Sequence, residues 1–184
     1  TQPGESNGKK IEELKNIVKG PISNKFHVLG YSYRDLTLLG QLGIEFDCSM
    51  CYYETPFMLP TYHQDIDLVL APYWWEDGLT LSMGRPLTLN KTALQEPGLK
   101  ILTFHPLDLY MNTSTFKHRN KIKGLRGSIT DLKKKDVALL RNQTFRGTRD
   151  CFIDLMRYAS SHDVDFVTCK ELNTAFRKTF SSLM

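Results

Sequence analysis

The chain has 184 residues, 24% of them charged and 41% hydrophobic, with a formal net charge of +4; this composition fits one soluble α/β domain spanning 1–184 that can bury a substantial core. No apolar run approaches the roughly 18 residues that a membrane span needs, and no secretory leader is recognisable, so a cytoplasmic protein without a membrane span is expected. The basic stretch from Lys117 to Lys135 lacks interleaved aromatics and any nucleic-acid motif, so it reads as a solvated helix and loop face with no nucleic-acid partner.

Residues 9–20, KKIEELKNIVKG, place Ile11, Leu14, Ile17 and Val18 on one helical face and stop at Gly20-Pro21. A short extended piece over 24–29 follows, carrying Lys25 and ending near His27. YRDLTLLGQLG (33–43) predicts a helix closed by Gly43, and IEFDCSM (44–50) the next strand. Residues 51–63 read as irregular and aromatic-rich, with prolines at 56 and 60. IDLVLAPYWWEDG (66–78) is a strand running into a turn that bears Trp74, Trp75, Glu76 and Asp77. A short helix over 88–96 ends at Pro97-Gly98, and 100–105 is a strand closed by His105. Pro106 holds residue 105 extended and withholds an N–H, so that strand must stop there.

Residues 113–146 are helical in parts, with breaks at Gly124 and Gly127. GTRDCFIDLMRYASSHDV (147–164) predicts a helix with Cys151, Phe152, Leu155, Met156 and Ala159 on one stripe, DFVTC (165–169) a short strand, and KELNTAFRKTF (170–180) a last helix. Strands alternating with helices, and central strands that are nearly continuous apolar runs, point to a mostly parallel sheet covered on both faces, open or closed into a barrel.

Chemistry-bearing residues collect at the predicted strand ends. In parallel α/β folds ligands bind there, because the loops converge and helix N-termini present free N–H groups. His105 closes one strand, Trp74 to Asp77 another, and Lys25 with His27 a third. A base, an acid and a cation delivered toward one rim suit general acid/base work, and indoles beside carboxylates suit a sugar ring, although paired tryptophans also serve as plain packing. Cys48 and Cys51 form a C-x-x-C that lacks the partner pair of a zinc site, so buried free thiols are expected in preference to a redox motif. His63, Asp65 and Asp67 lie close together in a loop without metal-site spacing, and Asn90, Asn112 and Asn142 head N-x-[ST] sequons that mean little without secretion.

Four stretches in order, KFHVLGYSYRDLTLLGQLGIEFDCSM, APYWWEDG, PGLKILTFHPLDLYMNT and GTRDCFIDLMRYASSHDVDFVTCKEL, resemble the later two thirds of a polysaccharide deacetylase-like domain. The type is that of NodB homology, or carbohydrate esterase family 4, in the branch found in bacterial surface-polysaccharide gene clusters. The resemblance implies a partial or distorted (β/α)7 barrel with mostly parallel strands. It also implies hydrolytic removal of acetyl groups from an N-acetylated sugar or surface polysaccharide by a divalent metal, zinc by this chemistry. His105 matches the family's late strand-end histidine, the general acid; His27 matches an earlier histidine, and Asp77 completes the implied catalytic set. Lys25 stands where the branch has an arginine, Trp74, Trp75 and Glu76 match the segment lining the substrate groove, and Asn112 matches an asparagine after the histidine strand. The family's aspartate-bearing first strand and metal-binding histidines have no counterpart here, so no metal ligand is assigned. The domain is expected to lack its N-terminal strands and to meet them, or a second copy, as a partner alongside its carbohydrate substrate. A carbohydrate-binding or regulatory pseudoenzyme is the rival expectation.

Overall fold

A computed structural model of the chain describes residues 7–18, 20, 22–26, 32–124 and 133–181. In chain order the described elements are α1 (Asn7–Ile17), β1 (Ser23–Asn24), α2 (Tyr33–Gln41), β2 (Phe46–Asp47), β3 (Thr61–His63), a 3-10 turn at Gln64–Ile66, β4 (Leu68–Leu70), β5 (Trp75–Glu76), α3 (Asp77–Ser82), α4 (Lys91–Gln95), β6 (Leu102–Thr103), α5 (Pro106–Met111), α6 (Phe116–Gly124), α7 (Lys134–Leu140), α8 (Thr148–Ser161) and α9 (Cys169–Ser181). Packing divides the chain into two compact units, one of Thr1–Trp74 with Pro97–Leu99 and Phe166–Met184, the other of Trp75–Glu96 with Lys100–Asp165.

The first unit is a sheet in the order β1-β2-β4-β3. β1, β2 and β4 run parallel, and β3 lies antiparallel on the edge of β4 with Tyr62 opposite Val69. Phe46 and Asp47 of β2 are both buried, as expected of a parallel strand covered on two faces. α2 starts where Ser32 and Asp35 exchange hydrogen bonds, the Ser32 N–H donating to Asp35 at 2.7 Å and the Asp35 N–H to the Ser32 hydroxyl at 3.3 Å, which satisfies donors left free by the first turn. Its apolar side delivers Leu36 and Leu39 against Ile11, Ile44 and Leu68, the core of this unit. α9 is fixed by the buried Asn173, which donates to Glu45 at 2.8 Å, and by Arg177, which donates to the Asp67 carbonyl at 2.8 Å.

In the second unit β5 and β6 form a separate parallel pair, with Trp75 opposite Leu102 and Glu76 opposite Thr103. Trp75 and Phe104 pack in a tilted pair at 5.0 Å between ring centres, and Phe104 meets Phe152 edge-to-face at 5.2 Å. α8 begins at Gly147, where an added Cβ would fall 2.2 Å from the Asn112 carbonyl oxygen, so only glycine admits that approach.

The fold is therefore mixed α/β with mostly parallel strands, but no sheet closes among the described residues, so they do not show the expected barrel. Each described strand has two or three residues. Pro72 follows β4 and Pro106 follows β6, and a proline offers no ladder N–H. Residues 165–169 also depart from expectation: no strand forms there, and Phe166 and Val167 are 65% and 61% exposed. Conversely β3 arises inside the stretch read as irregular. No helix among the described residues is long and apolar enough to cross a membrane.

Candidate functional site

The site is built where the paired strands β5 and β6 hand over to helices. β5 runs directly into α3, whose first residue is Asp77. β6 continues through Phe104 to His105, the residue that caps α5, with Pro106 in the first helical turn. Proline suits that position because its missing N–H would have no helical partner anyway. Parallel register, Glu76 beside Thr103, brings the two strand exits together, so Asp77 and His105 meet although 28 residues separate them.

Asp77 is fully buried and holds His105 twice. Its Oδ2 accepts the His105 backbone N–H at 2.8 Å, and its Oδ1 lies 2.6 Å from His105 Nδ1. Oδ1 also accepts the Gly78 N–H at 2.6 Å. A buried carboxylate facing Nδ1 assigns the proton to that nitrogen, which leaves Nε2 as the working atom. Nε2 lies 4.0 Å from Glu76 Oε1, and the imidazole is 27% exposed. The hydrogen bond to Asp77 raises the His105 pKa above its ordinary value, outweighing burial, which acts the other way. The imidazolium is thereby favoured, with a proton on Nε2 available to a ligand.

A second acid and a cation lie in the same unit. Asp108, in the first turn of α5, is 2% exposed, and burial raises its pKa. Arg119 of α6 places Nε 3.0 Å from Asp108 Oδ2. Arg119 reaches this position over Gly78, where an added Cβ would sit 2.3 Å from Nη1. Sequence reasoning missed both residues. Arg119 lies in the basic stretch read as a solvated face, yet its side chain is only 12% exposed.

Asp77, His105 and Asp108 offer ligand atoms within 4.8 Å of one another, a spacing that a metal ion could share. Their bonding does not fit one. Both Asp77 oxygens already accept N–H bonds, Nδ1 of His105 is committed to Asp77, and the Arg119 guanidinium compensates Asp108. A cation here would have to displace a buried ion pair and meet a guanidinium at close range. The divalent metal implied by the sequence resemblance is not held by this trio.

The other predicted site residues are placed differently. Trp74 and Trp75 are both 0% exposed, so neither indole offers a face for a sugar, contrary to the groove-lining role expected of them. Adjacent residues on an extended chain point to opposite sides, and each indole is covered: Trp74 donates to the Thr55 carbonyl at 3.1 Å, and Trp75 packs on Phe104. The Trp75 N–H finds no acceptor among the described residues. Asn112 is also buried, and both ends of its amide are engaged, donating to Asp150 at 2.9 Å and accepting the Arg149 N–H at 3.1 Å. It anchors the start of α8 from a left-handed backbone (φ 50°) that asparagine tolerates, and does not present itself to a substrate. Lys25 belongs to the first unit, its ammonium 4.4 Å above the Tyr73 ring. His27 lies outside the described residues. Of the predicted set, Glu76, Asp77 and His105 are brought together.

Comparison with known proteins agrees with this arrangement of elements. A family model described as WbmS-like polysaccharide deacetylase matches residues 2–123. A Bordetella bronchiseptica protein, WbmS, described as a candidate polysaccharide deacetylase involved in O-antigen biosynthesis, has a similar crystal structure: TM-score 0.72 and 22% identity, covering 83% of this chain and 62% of that one. At that identity the likeness shows the fold, and this chain spans less than two thirds of the relative's length. Comparison with curated protein sequences finds no match.

Proposed function

The chain belongs to the WbmS-like polysaccharide deacetylase family, and from that premise we propose that it supplies the proton donor for hydrolytic deacetylation of an N-acetylated sugar in a surface polysaccharide. The observation that carries the reading is the buried carboxylate of Asp77 at 2.6 Å from His105 Nδ1, with Nε2 on the partly exposed side of the ring. Amide hydrolysis stalls at the tetrahedral intermediate unless the leaving amine is protonated, since an amide anion is a very poor leaving group. His105 Nε2–H gives its proton to the amine nitrogen as the C–N bond breaks, and the ring becomes neutral. Asp77 holds the tautomer and orientation and favours the charged ring before the transfer, the part that a buried aspartate plays behind a catalytic histidine elsewhere. Glu76 adds a negative charge on the Nε2 side and favours the same protonated state.

The rival reading, a carbohydrate-binding or regulatory pseudoenzyme, drew on the missing metal motifs and on a tryptophan-lined groove, and the burial of both indoles weakens the second of these supports. The direct test is acetate release from N-acetylated oligosaccharides. His105→Ala lowers the rate by about 10²–10⁴-fold, the usual worth of a positioned acid, while circular dichroism and the unfolding midpoint stay close to wild type. An undiminished rate in a folded variant would remove His105 from the reaction.

A further inference from the structure

The register of the first unit's sheet sets a row of side chains across it. Asn24 pairs with Asp47, Asp47 with Leu70 and Leu70 with Thr61, and residues paired in this way share a face of the sheet. His63, two positions beyond Thr61 on β3, shares that face too. Asp47, Leu70, Thr61 and His63 all line a cavity of about 240 Å³ at the end of β2 and β4, to which Tyr52 and Leu59 also contribute. The carboxyl ends of parallel strands are where ligands bind in such sheets.

The polar groups of this cavity have bonding capacity to spare. Asp47 is 2% exposed. Its Oδ1 accepts the Asn24 amide N–H at 2.8 Å and the Ser49 hydroxyl at 2.7 Å, and its Oδ2 accepts the Ser49 backbone N–H at 3.0 Å. A carboxylate has about four acceptor sites, so one on Oδ2 stays open. Burial raises the Asp47 pKa, and the three hydrogen bonds oppose the rise; a fourth donor, brought by a ligand, is worth more to a carboxyl held in this way than to one in water. Among the described residues the Tyr52 and Thr61 hydroxyls have no hydrogen-bond partner, and the nearest acid to the His63 ring is Asp65, 4.0 Å from Nδ1 and beyond hydrogen-bonding reach.

This chemistry narrows the occupant. An anion would meet the buried Asp47 carboxylate. A metal ion would need more ligands, and among the described residues the one group of three acids or histidines close enough to share an ion belongs to the other unit. A neutral molecule bearing several hydroxyls remains, and the row suits its shape. Asp47 and Thr61 flank Leu70 from two strand spacings apart, about 10 Å, so a pyranose lying with its C–H face on Leu70 reaches an acceptor on one side and a hydroxyl on the other. The volume lies below the roughly 300 Å³ at which sites for drug-sized ligands begin, which suits a single ring. We propose that this cavity is a second saccharide site, holding one neutral sugar residue with its ring on Leu70 and its hydroxyls on Asp47, Tyr52, Thr61 and His63. The choice of a sugar over another small polyol rests on the function proposed above; the cavity and its spare bonding capacity do not.

The test titrates nitrogen-15-labelled protein with N-acetylglucosamine, N-acetylgalactosamine, glucose and galactose at millimolar concentrations and follows the NMR spectrum. Saturable shifts of the backbone amides of 47–52 and 61–63 are expected with at least one of them. Thr61→Val and Tyr52→Phe each remove one hydroxyl from an exposed position, so the fold survives, and each weakens binding by roughly two- to ten-fold, the worth of one hydrogen bond. Thr61→Trp fills the cavity and abolishes binding. An absence of saturable shifts with all four sugars, or shifts that the three variants leave unchanged, would overturn the proposal. The titration needs no turnover: acetate release without binding at this cavity would sink the second site alone, and binding without acetate release would sink only the catalytic reading.

Discussion

Replacing Asp77 by asparagine removes one negative charge and one acceptor from a fully buried position while nearly preserving shape. Asp77 accepts three N–H bonds, from Gly78 at 2.6 Å, from the His105 backbone at 2.8 Å and from His105 Nδ1 at 2.6 Å. An asparagine has one oxygen and one NH2. With the oxygen kept toward Gly78 and the ring, the NH2 confronts the His105 backbone N–H; turned over, it confronts Gly78 and Nδ1. The cheaper arrangement still strands one buried backbone donor, which costs about 1–3 kcal/mol at any pH. A further charge-assisted contribution of about 1.5–3 kcal/mol is lost wherever His105 is cationic.

The pH dependence follows from the direction of the histidine shift. The folded His105 pKa is raised above its ordinary value of 6.5. The charge-assisted contribution is therefore complete below the unfolded pKa and disappears as pH rises through the folded one. Urea unfolding followed by tryptophan fluorescence measures this directly, because both indoles are buried in the native state. The stability gap between wild type and Asp77→Asn is expected to be wider at pH 5 than at pH 9. A gap equal at both values, or none, would refute an Asp77 carboxylate that stabilises the imidazolium.

Three further outcomes are expected. Leu39→Ala, in the fully buried centre of the first unit's core, lowers stability by about 2–5 kcal/mol in urea titration; a loss well below this would mean that α2 is not packed as described. Arg119→Met leaves Asp108 buried without its cation and costs about 3–5 kcal/mol near neutral pH. Because the Asp108 pKa is already raised by burial, that deficit shrinks as acidification protonates it, and a deficit that grew on acidification would contradict the pairing. One equivalent of Zn²⁺ leaves the His105 ring resonances unmoved in nitrogen-15 NMR; displaced signals would place a cation among Asp77, His105 and Asp108 after all.

Much of the architecture was legible because it follows from local signals. The apolar stripes of α1 and α8, and the runs that become β2 and β4, all read directly from spacing. β6 lies within the strand read over 100–105, whereas β5 falls in the stretch read as a turn, and the register between them is set by distant residues. α3 and α5 have six residues each, fewer than two helical turns, and periodicity cannot establish elements so short. Proline-rich flanks hid β3, and the alternation of DFVTC suggested a strand that does not form among the described residues.

At the site, His105-Pro106 announced a strand end, and Glu76-Asp77 an acidic turn. The direct hold of Asp77 on the ring, and the Asp108–Arg119 pair beside it, are tertiary facts that spacing does not encode. The tryptophans misled for the same reason, since adjacent indoles look alike on a rim or under it. Asn112, matched to a substrate-binding position, spends its amide on the start of α8.

The central claim, that Asp77 keeps His105 protonated at Nε2 for transfer to a leaving amine, is met most directly by the pH profile of kcat/KM for acetate release. The basic limb should coincide with the His105 midpoint measured by NMR, and in Asp77→Asn both should move together to lower pH. A basic limb that stays in place while the His105 midpoint moves would show that another group gives up the proton.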